Sequence, residues 1–240
     1  MFQWLQRRQC EPEVMDDPAL DRQRHVAALR GIARLNAWSA STTTVWGAIA
    51  RFARRNKLDR LRVLDVASGA GDIPLRLWHK ARRANLQLDL HGVDISPKAI
   101  DFARQRAETH GAPITFSRLD VLNDPLPTGF DVVMSSLFFH HLEDPHATSL
   151  LRAMADAASQ MVLVNDLRRN LPGWLLAHAA ARVFTRSDVV HVDAPLSVKA
   201  AFTPNEFRHL AMLAGLQDVT VRQRWPCRML LTWERPPVNC

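Results

Sequence analysis

Residues 63–72 read Val63-Leu64-Asp65-Val66-Ala67-Ser68-Gly69-Ala70-Gly71-Asp72. An apolar run from Arg62 to Ala67 ends in small residues, the pattern of a short buried strand. Asp72 to Ala84 reads as a helix. Gly69 and Gly71 lie between them, where missing side chains let the backbone turn sharply and approach a ligand closely. The helix N-terminus that follows favours negatively charged groups. In sheets of this kind ligands bind at the carboxyl ends of the strands, near the point where strand order reverses.

Outward from this turn, strands and helices alternate. Leu86 to Asp94 is a second strand, and Ser96-Pro97 opens a helix that Gly111 closes. Ile114 to Asp120 and Phe130 to Ser136 follow as strands, with Asp144-Pro145 starting the next helix. Met161 to Asp166 is a fifth strand and Leu171 to Thr185 another helix. Thr203-Pro204-Asn205-Glu206 is a capping box, and Gly215 ends its helix. Val219 to Arg224 and Met229 to Glu234 flank Trp225-Pro226-Cys227, a connection too tight for a crossover helix, so they pair antiparallel. The fold class is α/β: a Rossmann-like, seven-stranded, mostly parallel sheet with an antiparallel last strand and helices on both faces. Before it, Val26, Leu29, Ile32, Ala33 and Leu35 recur at helical spacing. Residues 1–59 are expected to form a helical N-terminal cap, and 60–240 the main domain, with a substrate-cap insertion at about 167–202.

Composition narrows the classes. The 240 residues are 47% hydrophobic and 23% charged, as in folded proteins. A formal charge of +7 comes from 31 Lys+Arg against 24 Asp+Glu. The dense basic run from Arg51 to Arg62 reads as a solvated helix face and exit. Cys10, Cys227 and Cys240 form no CxxC pair, which argues against a disulfide framework or structural zinc. Arg7 and Arg8 precede no apolar h-region, so no signal peptide is expected. The apolar stretch from Trp174 to Phe184 is too short to span a bilayer. A cytoplasmic setting follows as an expectation. The chain has no tyrosine, so any side-chain base must be sought among histidines and carboxylates.

A dinucleotide site would place a third glycine at position 74, which is Pro74. The acidic residue Asp65 before the turn suits a cationic ligand better than a pyrophosphate. The segment Asp65 to Gly71 resembles motif I of the class I S-adenosylmethionine-dependent methyltransferases, and the resemblance extends over roughly residues 60 to 235. It implies S-adenosyl-L-methionine as cofactor, held by Asp65, Ala67, Ser68, Gly69 and Gly71. Asp94, with Ile95, matches the position that takes the ribose hydroxyls, and Asp120-Val121 the position at the adenine. Ser135, Leu137 and the stretch Phe138-Phe139-His140-His141-Leu142 match the loop beside the sulfonium and amino-acid part. Ala67 stands where the family usually has glycine; it is tolerated at negative φ, and its methyl narrows the space there. Arg30 is a candidate partner for the cofactor's carboxylate.

A phenolic acceptor benefits from a base. His140, His141 and His191 are the candidates, with His178 as a further one, and Asp166 ends the fifth strand as a substrate contact or loop cap. His191-Val192-Asp193 lacks a third ligand at convincing spacing, so no metal is expected. Trp38 and Trp46 suit either an aromatic pocket or the core. The reading is methyl transfer to a small aromatic or polyketide-derived molecule, on a phenolic oxygen, with no nucleic-acid partner and no membrane span. Carbon methylation of a quinone precursor is the alternative. An RNA or protein methyltransferase and a non-catalytic cofactor-binding scaffold come from other classes. The Asp/Asn-Pro-Pro-aromatic motif of amino-group methylation is absent; Ser135-Ser136-Leu137-Phe138-Phe139 stands in its place.

Overall fold

The computed structural model describes residues 3–17, 19–38 and 41–236. Seven strands form one sheet in the order β3-β2-β1-β4-β5-β7-β6. They are β1 (Arg60–Val66), β2 (Gln87–Asp94), β3 (Thr115–Arg118), β4 (Phe130–Ser136), β5 (Ala158–Leu167), β6 (Thr220–Arg224) and β7 (Arg228–Glu234). β1 to β5 run parallel, and β7 inserts antiparallel between β5 and β6. The seven-stranded, mostly parallel expectation holds, and Trp225-Pro226-Cys227 is the tight turn that forces the reversal.

Side-chain alternation along β1 explains how both faces are covered. Leu61 and Val63 join one apolar layer, which also takes Ile49 and Phe52 of α3 (Ser41–Arg55), Leu77 of α4 (Asp72–Arg83) and Ile100 of α5 (Pro97–Thr109). Leu64 and Val66 join the opposite layer, built with Leu150, Leu151 and Met154 of α6 (Asp144–Ala157) and Phe207 of α9 (Pro204–Leu213). Trp46, one of the two pocket candidates on the N-terminal helices, packs against the first of these layers; the Trp38 side chain lies outside the described residues, as does Cys240.

A third, smaller cluster joins α2 (Arg22–Trp38), α7 (Leu171–Phe184) and α8 (Asp188–Ala200) through Ala28, Ala181, Val189 and Val190. The sequence reading stops the insertion's regular structure at Thr185; the structure adds α8. Its N-cap is Ser187, whose side chain accepts from the Val190 amide. Pro195 lies inside α8, and such an interior proline masks a helix in sequence. The N-terminal segment is tied to this assembly by the Asp193 carboxylate, which accepts from the Val14 and Met15 amides at 2.9 and 3.0 Å. No helix among the described residues is long and apolar enough to cross a membrane.

Candidate active site

Strand order reverses at β1, whose neighbours are β2 and β4. A cavity of about 810 Å3 opens there, within the size range of small-molecule sites. The ends of β1, β2, β3 and β4 supply its floor, and α2, α7 and α8 its cover. Asp65, Asp94 and Asp120 meet at this edge because the parallel sheet brings the carboxyl ends of β1, β2 and β3 together.

The turn after β1 is tied together by backbone. Ser68 N–H donates to the Val93 carbonyl at 2.9 Å, and Gly69 N–H to Asp94 Oδ2 at 2.8 Å. Asp94 Oδ1 accepts from the Ser96 amide at 2.9 Å. One carboxylate thus links β1's turn to the start of α5. Asp65 is buried beneath the turn, and burial first, then the neighbouring Asp72 and Asp94 charges, push its carboxyl well above the usual range. Among the described residues, Asp65 Oδ1, Ser68 Oγ and Ser136 Oγ are buried with no hydrogen-bond partner. Such groups are costly unless a ligand satisfies them.

The two glycines of the turn do different work. A Cβ on Gly69 would meet nothing within 4 Å, so this position faces open space on the cavity. A Cβ on Gly71 would lie 2.7 Å from Phe116 Cζ, and Gly71 does not line the cavity. Its role is close packing against β3, a correction to its placement as a ligand contact. Ala67 lines the cavity at φ 57°, not at the negative φ that alanine favours. Leu137 (φ 61°) and Cys227 (φ 51°) line it too in the same left-handed region, where a side chain costs roughly 1–2 kcal/mol. Backbone strain of this kind collects at functional sites.

On the β2–β3 side, Ile95 and Leu122 are exposed apolar residues that line the mouth together with Asp120 and Val121. Asp120 Oδ2 accepts from Asn123 at 2.9 Å and Oδ1 from the Leu122 amide at 3.1 Å, and these bonds hold its carboxyl below the usual value. Flat apolar walls, the Asp94 carboxylate and the orphaned Asp65 and Ser68 oxygens fit an adenine, a ribose and a charged amino-acid moiety in that order. At the end of β4, Ser136 and the next residue, Leu137, line the cavity, whereas Ser135 is buried away from it.

Across the cavity, His140 Nδ1 lies 2.7 Å from Asp166 Oδ1, and the His140 amide donates to Oδ2 at 3.1 Å. Both side chains are buried. Burial pushes the imidazole down, but the Asp166 charge and hydrogen bond outweigh it, so His140 holds its proton more firmly than a free histidine. His141 stacks beside it, ring centroids 4.3 Å apart, and is pushed the other way by burial and by the His140 charge. Glu13 Oε1 is 4.0 Å from His141 Nδ1.

Three expected contacts miss the cavity for one reason. Arg30, His178 and His191 each follow a cavity-lining residue: Leu29, Ala177 and Val190. One residue along a helix rotates the side chain by about 100°. Arg30 is exposed, His178 sits edge-on to Trp174 with ring centroids 4.3 Å apart, and His191 Nε2 is 2.9 Å from the Thr185 carbonyl. On α2 it is His25, not Arg30, that lines the cavity. Glu13 and Arg228 line the cavity and were not foreseen; Arg228 is buried, and burial lowers its pKa to about 10 against the opposing charge of Asp166. Nor was Arg8 foreseen, which donates to the Leu142 carbonyl at 2.7 Å and the His140 carbonyl at 3.3 Å, pinning the N-terminal segment to the loop after β4. No spacing signal marks these residues, because their proximity is tertiary.

Comparison with known proteins agrees with this geometry. A methyltransferase-domain family model matches residues 63–160. Demethylmenaquinone methyltransferase of Thermus thermophilus is 33% identical over 105 residues, covering 42% of this chain and 46% of that protein; this chain thus spans about half the length of that relative. The plantazolicin methyltransferase BpumL, solved in complex with SAH, superposes with a TM-score of 0.65 at 17% identity over 92% of both chains. An uncharacterised methyltransferase of Mycobacterium tuberculosis is 31% identical over 186 residues, 72% of this chain and 87% of that protein. With similarity of that extent, and the motif I turn at the switch point of the expected sheet, the chain belongs to the class I S-adenosylmethionine-dependent methyltransferases.

Proposed function

We propose that this protein methylates a hydroxyl oxygen of a small aromatic acceptor, with His140 as the base. The supporting observation is the buried His140–Asp166 pair at the wall of the cavity that also holds Asp65, Gly69 and Asp94. S-adenosylmethionine, bound along Asp65, Ser68, Gly69, Asp94 and Asp120, supplies an electrophilic methyl group on a sulfonium. Asp166 holds the Nδ1 proton of His140, which leaves Nε2 as the nitrogen with a lone pair. That nitrogen takes the acceptor's hydroxyl proton as oxygen attacks, and Asp166 stabilises the imidazolium that forms. Leu29, Ile32, Leu35 and Leu176 give the acceptor an apolar enclosure, and their cover excludes water from the reacting atoms.

The basic run supports a small acceptor rather than nucleic acid. Arg51, Arg54, Arg60 and Arg62 are exposed, and Arg60 and Arg62 open β1 at the sheet edge opposite the cavity. Arg55 and Arg60 are paired with Glu234 and Asp89. Carbon methylation of a quinone precursor is the second reading, favoured by the similarity to a demethylmenaquinone methyltransferase. Counting transfer from methyl-labelled cofactor to a panel of phenols, hydroxynaphthoquinones, bulk RNA and protein tests the assignment. Incorporation into phenols is expected. Cofactor binding with no transfer to any of them would make the chain a scaffold, and label on RNA or protein would overturn the small-acceptor reading.

A further inference from the structure

Three metal-ligating side chains meet at the acceptor side of the cavity. Glu13, His140 and His141 each offer a ligand atom, and these atoms lie within 4.8 Å of one another. All three residues line the cavity. The chain segments that bring them together are far apart in sequence: Glu13 precedes a short 3-10 turn at Val14–Asp16, and the histidines form another at Phe139–His141. Both are fixed in place, the first through the Asp193 carboxylate and the second through the Asp166 carboxylate and the Arg8 guanidinium.

We propose that Glu13, His140 and His141 bind one first-row transition-metal dication of the zinc type. Two imidazoles and one carboxylate are a donor set that such ions prefer over magnesium or calcium. Asp166 strengthens the assignment: it holds Nδ1 of His140 at 2.7 Å, so Nε2 is the nitrogen left to ligate. A carboxylate behind a ligating histidine fixes the tautomer and raises the ring's basicity. A tetrahedral ion with bonds of about 2.1 Å needs ligand atoms about 3.4 Å apart, so the three side chains close by roughly an ångström. Glu13 Oε1 already stands 4.0 Å from His141 Nδ1, and the Glu13 carboxylate also accepts from the Ser197 hydroxyl. The fourth position faces the cavity, open to water or to the acceptor. The ion and the acceptor's proton then compete for the same Nε2, so metal binding silences the base. This second half rests on the base assignment above; the binding itself does not.

The test uses the full chain after chelator treatment, titrated with cobalt(II) and zinc(II). Visible absorption of bound cobalt and the metal-to-protein ratio after dialysis are the readouts. One equivalent is expected, with an absorption band typical of tetrahedral cobalt. Glu13→Gln and His141→Ala should each weaken binding 10-fold or more, in protein whose melting temperature and circular dichroism confirm the fold. Absence of stoichiometric binding at micromolar metal would overturn the site. So would binding that both variants leave unchanged. A parallel assay follows methyl transfer as zinc is added: turnover should fall with occupancy and return with chelator. Stoichiometric zinc with undiminished turnover would overturn the competition, and with it His140 as base, while the binding data stand apart from that failure.

Discussion

Asp166, at the end of β5, grips His140 twice, through the ring Nδ1 at 2.7 Å and the backbone amide at 3.1 Å. One carboxylate thus sets both the loop after β4 and the orientation of the ring within it. Removing its charge while keeping its shape separates these roles. Asp166→Asn is expected to lower kcat by about 100-fold or more, with the KM for the cofactor little changed. His140→Ala should cost a similar factor, and the double variant little beyond either single one, because the two residues act as a unit. Steady-state kinetics of the three variants check this. Additive losses would show that the pair does not work as a dyad.

Ala67 holds a left-handed φ of 57° beside the cofactor side of the cavity. Ala67→Gly relieves roughly 1–2 kcal/mol of backbone strain and gives back roughly 0.4–1 kcal/mol through a more flexible unfolded chain. A net gain of about 0.5–1 kcal/mol, or a rise of about 1–4 °C in melting temperature, is expected. Thermal unfolding with and without cofactor measures it.

The two glycines of the turn should respond to alanine in different ways. Gly71→Ala drives a methyl group to 2.7 Å from Phe116 Cζ and 2.9 Å from Ala103 Cβ, at φ 69°. A loss of about 2–4 kcal/mol of stability is expected from overpacking and strain together. Gly69→Ala meets no protein atom within 4 Å, so its stability cost is the strain alone, roughly 1–2 kcal/mol. Its methyl group instead enters the space where the cofactor belongs, and the loss appears in cofactor affinity. Denaturant melts and binding titrations of both variants separate the effects.

Arg169 is buried and reaches the Ala201 carbonyl at 2.6 Å and the Glu206 carboxylate, which also closes the capping box of α9 by accepting from the Thr203 amide at 2.8 Å. Burial alone would raise the Glu206 pKa, but the Arg169 and Thr203 bonds outweigh it and lower it. A carboxyl depressed in the folded state stabilises at pH above its unfolded value, about 4.3, and that contribution fades as the pH falls through the lower folded value. Glu206→Gln should cost about 1–3 kcal/mol at neutral pH and flatten the acid limb of the stability–pH curve. Melting temperatures from pH 7 downward check the slope; an unchanged slope would show that Glu206 is not a source of acid sensitivity.

Much of this was legible in the chain because it is local. The alternation of Leu61, Val63 against Leu64, Val66 follows from strand geometry, and Ser96-Pro97 and Thr203 to Glu206 mark helix starts through caps that the structure contains. The end of each strand could be placed to within a few residues, which put Asp65, Asp94 and Asp120 on one edge. Side-chain direction on the covering helices was not legible. Arg30, His178 and His191 failed by one residue each, and only packing fixes helix rotation. The Asp166–His140 pair, Glu13 beside it and the Arg8 clamp depend on segments more than 20 residues apart meeting in space. A residue pattern holds no record of such meetings. Ala67's left-handed φ is of the same kind: the turn's ties to Val93 and Asp94 impose it against the residue's own preference.

The bond formed by the transferred carbon tests the function most directly. The protein is incubated with S-adenosylmethionine carrying a 13C-labelled methyl group and the phenol that accepts label best, and the product is read by carbon NMR. Oxygen methylation assisted by His140 and Asp166 places the labelled carbon in the methoxy region, and Asp166→Asn suppresses that signal. A labelled carbon in the aryl-methyl region would contradict it and assign the cavity to carbon methylation.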